Sequence, residues 1–136
     1  MSRRTGERMI WYIALGSAVG GVLRHLVGGL AGRVAGPAFP YGTLLVNVTG
    51  CFLIGLVYRY GADSAVLSPE VRALLAIGFC GGYTTFSTFS YETIRLLEDG
   101  QLARAGTYVV LSVVLSLAAA LAGVAAGREL LLVRRG

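Results

Sequence analysis

GFCGGYTTFSTFSYE, residues 78–92, carries no charge before Glu92 in a chain that is otherwise strongly apolar. Where leucine and valine would be expected of a membrane helix, its middle holds two adjacent glycines, five Ser and Thr hydroxyls and two phenylalanines. Glycine continues a helix poorly, because it loses the most backbone entropy there. The stretch therefore reads as a helix that breaks at Gly81-Gly82. Such a break frees carbonyls at the end of one half and N–H groups at the start of the next. Non-helical backbone at membrane depth persists only where it is buried in protein or lines a cavity. Freed carbonyls can ligate a hard cation such as Na⁺. Beyond the break, Phe86 and Phe89 are three apart and share a face, and a phenylalanine ring edge carries positive potential.

Composition sets the context. The chain has 136 residues, 55% hydrophobic and 14% charged, with a mean hydropathy of +0.70. A soluble domain carries about 25% charged residues, so the deficit points to lipid. A spanning helix needs about 20 apolar residues. Met9 to Gly32 reaches that length across Arg24 and His25, and Val34–Tyr58, Ala73–Tyr91 and Ala105–Gly127 are free of charge. The expected fold is an all-α membrane protein of four transmembrane helices, the third broken near Gly81-Gly82. Residues 1–136 form one unit, with spans at about 9–32, 38–59, 71–95 and 103–127. The basic start followed by an apolar stretch resembles a signal peptide, but Arg24 and His25 interrupt the cleavage region, so the segment is read as a retained span. Cys51 and Cys80 fall inside spans as small hydrophobes, without the spacing of a disulfide framework or metal cage.

The net charge of +5 comes from arginine, with no lysine. With four spans, Arg3, Arg4, Arg8, Arg59, Arg72, Arg128, Arg134 and Arg135 collect on the side of the termini. Arg33, Arg95, Arg104 and, if it snorkels, Arg24 face the other side. That bias favours cytoplasmic termini. None of the four uncharged runs contains Asp or Glu, which counts against a small proton-coupled transporter. Donors abound instead, and donors without carboxylates suit an anion. Asn47 sits one helical turn from Thr43. Its amide either makes an interhelical hydrogen bond or donates to a passing ion. Tyr108, Ser112 and Ser116 are four apart, each about 40° round from the last. They either bond back to their own helix or line a path. No Ser/His/Asp set, metal cluster or phosphate loop appears, and His25 is the single histidine, so an enzyme is not expected.

GFCGGYTTFSTFSYE, with YGTLLVNVTGCFLIG upstream, resembles the two signature stretches of the Fluc (CrcB-type) fluoride channels. The resemblance covers all four spans. GGVLRH in the first span also fits, although the family more often has Tyr than His after the arginine. The resemblance implies an antiparallel, dual-topology dimer in the inner (plasma) membrane of a prokaryote, with two pores and a structural Na⁺ at its centre. It gives that Na⁺ to the backbone carbonyls of Gly81 and Thr84. Phe86 and Phe89 would present ring edges to fluoride, Asn47 its amide hydrogens, and Tyr108, Ser112 and Ser116 a polar track. Arg24 would stand near a vestibule, with a structural or an anion-attracting role. Thr43, Thr85, Ser87, Thr88 and Glu92 lie at matching positions. The partners implied are fluoride, membrane lipid and a second copy of the chain, with no nucleic acid. The arginine imbalance leaves open a heterodimer with a homologous subunit, and a small four-helix secondary transporter is a further alternative.

Overall fold

The long apolar runs fold as helices because a backbone surrounded by lipid must pair its N–H and C=O groups within its own segment. A computed structural model describes residues 3–62 and 66–136. The side chains of Arg3, Arg4 and Arg135, which enter the arginine balance, lie outside the described residues. Helix α1 spans Arg3–Ala35, α2 Tyr41–Gly61, α5 Phe86–Glu98 and α6 Leu102–Arg135. Between α2 and α5, residues 69–83 form one helical rod. It consists of α3 (Pro69–Arg72), a π-helical stretch (Ala73–Cys80) and α4 (Gly81–Tyr83). The described residues contain no strand. Parts of α1, α2 and α6 are long and apolar enough to cross a bilayer, and the chain is an integral membrane protein.

Local chemistry sets the ends. Ser68 caps α3 by accepting from Val71 N at 3.2 Å, with Pro69 in the first turn, where a proline loses nothing. Gly36 ends α1 and Gly100 follows α5, both with positive φ, the conformation that glycine takes without strain. The rod packs on α1, α2 packs on α6, and α5 lies against α6.

The expected break at Gly81-Gly82 is not there. Both glycines are helical, and Gly81 has φ −64° and ψ −37°. The interruption comes at Thr84 and Thr85, which are extended at φ −79°, ψ 159° and φ −152°, ψ 116°. Gly82 serves packing instead. A Cβ there would stand 2.6 Å from the Ser17 carbonyl oxygen of α1, so its absence lets two backbones touch. Gly123 of α6 meets the Phe52 carbonyl of α2 in the same way. Small residues at such crossings are the usual device of membrane helices, where tight packing replaces a hydrophobic driving force.

The interior is small. Val46, Cys80 and Tyr108 are almost wholly enclosed, while leucines and valines of α1 and α6 cover the outside. Cys51 and Cys80 are free thiols, half-buried and buried.

Candidate functional site at the interrupted helix

Two extended residues between helical halves expose backbone groups that a helix would have paired, and an unpaired polar group costs several kcal/mol in hydrocarbon (~2–7). Three long-range side-chain hydrogen bonds meet that demand. Asn47 of α2 accepts from Thr85 N through Oδ1 at 2.7 Å and donates from Nδ2 to Thr85 O at 3.0 Å. Its amide takes the place of a peptide group in the ladder. Arg24 of α1 donates from Nη1 to Thr84 O at 3.3 Å. Thr84 itself donates from N and from Oγ1 to Cys80 O, both at 2.9 Å. Thr85 Oγ1 starts α5 by accepting from Thr88 N at 3.2 Å. It also donates to Thr88 Oγ1 at 3.0 Å and lies 3.1 Å from Ser87 Oγ.

These bonds decide which carbonyls are available. In a continuous helix, Thr85 N–H would bond to Gly81 O, but it goes to Asn47, which frees the Gly81 carbonyl. Gly81 is exposed, with no atom within 4 Å of where its Cβ would be. Thr84 O keeps a second lone pair beside its bond from Arg24. This pair of carbonyls has the chemistry of a hard-cation ligand set.

A second constellation lies along α5 and α6. Glu92 stands one residue beyond the uncharged run, yet it is half-buried and held by two hydroxyls. Thr43 Oγ1 donates to Oε1 at 2.9 Å and Tyr108 OH to Oε2 at 2.7 Å. Tyr108 is fully enclosed. Phe39 meets its ring edge-on, 5.4 Å between centroids, and Phe89 lies 5.2 Å away. One turn further along α6, the Ser112 hydroxyl is buried and has no hydrogen-bond partner among the described residues. It does not bond back to its own helix. Ser116, the next turn on, is half-buried.

An open cleft of about 750 Å³ connects the two constellations. Its walls include Arg24, Thr43, Thr85, Thr88 and Glu92 from the expected set, and also His25. Asn47, Gly81, Thr84, Phe86, Phe89, Tyr108, Ser112 and Ser116 are not on its walls. Phe86 and Phe89 are neighbours, 5.4 Å between centroids, but they part company. Phe89 packs inward on Tyr108, whereas Phe86 is 77% exposed. Two contributors gave no sequence signal of their role. Phe39 closes over Tyr108 from a loop, and buried Tyr83 lies 3.0 Å from Thr49 Oγ1 across the interface with α2. Glu92 was in reach, since a carboxylate so close to a spanning segment calls for a partner.

Residues 11–124 match the family model described as CrcB-like protein, Camphor Resistance (CrcB). A fluoride-specific ion channel FluC of Geobacter sulfurreducens is 52% identical over 118 residues, covering 87% of this chain and 95% of its own. The FluC of Rhizobium etli is 51% identical over 118 residues, with 87% and 94% covered. FluC 1 of Nitrobacter hamburgensis is 50% identical over 112 residues, with 82% and 89% covered. These relatives are ion channels rather than enzymes.

Proposed function

The chain belongs to the CrcB-like family, and on that premise we propose that it is a fluoride-selective channel through which fluoride leaves the cytoplasm down its own gradient. The relatives' shared name supports the substrate. The geometric observation that carries the reading is the buried Ser112 hydroxyl, without a partner among the described residues and one turn beyond the Tyr108–Glu92 pair. A buried hydroxyl is normally satisfied, and a transient ion is the partner that such a group would wait for.

Fluoride gives up a very stable hydration shell only where donors replace it. Ser112 and Ser116 would supply hydroxyls, Tyr108 its single O–H only on turning it away from Glu92, and Asn47 the Nδ2 hydrogen that Thr85 O does not use. Phe86 and Phe89 would offer their positive ring edges. Thr43 and Glu92 hold Tyr108 in place, and Thr85, Ser87 and Thr88 shape the start of α5. Arg24 is spent on the Thr84 carbonyl rather than placed along the track, where a full charge would bind the ion too tightly to release it.

In the assembly we propose, residues 69–98 make a fourth crossing in two pieces. Two subunits lie antiparallel in the inner membrane of a prokaryote and form two pores. The Gly81 and Thr84 carbonyls of each subunit would hold a Na⁺ at the centre, and that ion would supply fixed positive charge to tie the two breaks together. The exposure of Phe86 and Gly81 supports a partner at this face. The arginine imbalance favours a second form, in which this chain pairs with a homologue of opposite orientation.

Efflux from liposomes holding the purified chain tests the reading, with a fluoride electrode and a chloride control. Rapid fluoride loss without chloride loss is expected. Equal loss of both ions overturns it. Silence from folded protein that is cured by adding an oppositely charged homologue selects the paired form, and silence that no homologue cures overturns the channel.

A further inference from the structure

On the other side of the cleft wall lies a smaller groove of about 260 Å³, lined by Phe39, Tyr41, Ala103, Arg104, Thr107 and Leu111. It sits where α2 and α6 begin. Both helices are apolar spans, Tyr41–Gly61 and Leu102–Arg134, so their first turns mark the passage from headgroups into hydrocarbon. The aromatic pair agrees with that depth. Tyr41, an amphipathic ring of the kind that collects at the headgroup level, stands 4.8 Å from Phe39 between centroids.

Arg104 is the charged residue of the groove. Its described polar partner is neutral, with Nη1 donating to Gln101 Oε1 at 2.7 Å, so its charge is left to whatever occupies the groove. Below it, the Thr107 methyl and Leu111 continue one wall along α6, a turn apart, beside exposed Leu102 and Val110.

We propose that this groove seats one anionic phospholipid, its phosphate on Arg104 and an acyl chain along Thr107 and Leu111. A cation at the rim and an apolar trough running down from it complement that molecule at both ends. Free phosphate would leave the trough uncovered, and a zwitterionic headgroup would bring its own cation toward the guanidinium. Arg104 also lines the large cleft. A lipid phosphate there would neutralise one of the positive charges that concentrate anions at the cleft mouth. The site stands on the groove and on the chain's membrane embedding, and holds whatever ion the cleft conducts.

Native mass spectrometry of the purified chain, titrated with phosphatidylglycerol or phosphatidylcholine, tests this proposal. Saturable retention of one phosphatidylglycerol per chain, in preference to phosphatidylcholine, is expected. Arg104→Gln should weaken it about fivefold, the worth of one arginine at a membrane surface, while Arg104→Lys keeps it. Thr107→Trp fills the trough with the charge intact and should also lose the lipid. Arg33→Gln, which alters an exposed arginine off the groove, should change nothing. Equal retention of the two lipids overturns the proposal, as does undiminished binding by Arg104→Gln or displacement by millimolar inorganic phosphate. If Arg104→Gln does not fold, Arg104→Lys and Thr107→Trp decide between the same outcomes.

Discussion

At Asn47, a single amide answers for two backbone groups. Asn47→Leu keeps much of the bulk but leaves the Thr85 N–H and C=O unpaired in a low-dielectric interior. The loss should be about 2–6 kcal/mol for two such groups, read as a lower thermal midpoint in detergent. Ser112 is the opposite case. Its hydroxyl has no partner to lose among the described residues, so Ser112→Ala should leave that midpoint unchanged. If an ion is the missing partner, the same variant should cut fluoride flux on the order of tenfold, the worth of one hydrogen bond. A fall in stability without a fall in flux would assign Ser112 to packing. The sequence offered both residues as candidates, but it could not separate them. The distinction rests on Thr85, which is 38 positions from Asn47, and local spacing says nothing about such a bond.

Among the helices, the long apolar runs were legible because lipid leaves few alternatives to a helix. The break was legible as an event but not as a position. Gly81-Gly82 looked like the weak point, yet helix contacts use Gly82, and the chain leaves the helix at two threonines whose hydroxyls can cap and back-bond. The two glycines should therefore respond differently. Gly82→Ala forces α1 and the rod apart and should cost about 1–3 kcal/mol, as overpacking does. Gly81→Ala meets nothing inside the subunit. Any loss it causes, measured as the monomer–dimer balance by size-exclusion chromatography with light scattering, would report a partner's surface. An unchanged balance would place the proposed dimer contact elsewhere.

Taken whole, the molecule is longer than the membrane. Helices α1 and α6 have 33 and 34 residues, about 50 Å each at 1.5 Å per residue, against a hydrocarbon core of about 30 Å. Their surplus carries arginine, including Arg8 of α1 and Arg128 of α6, at the end that both termini would share in the proposed topology of four crossings. Replacing Arg128 and Arg134 by Gln should raise the fraction of chains inserted the other way round, scored by labelling a cysteine placed at either terminus. If that variant gains activity alone where the parent needs a homologue, the imbalance is what makes the chain one half of a pair. An interrupted helix usually suggests a hinge, but here the interruption is bolted. Asn47 holds both backbone groups of Thr85, and Arg24 holds the Thr84 carbonyl. A fastened joint makes a poor gate, so the proposed pore would stand open at all times. A hole that never shuts is harmless to the membrane voltage only if it refuses every abundant ion, which places the whole burden of safety on discrimination rather than on closure.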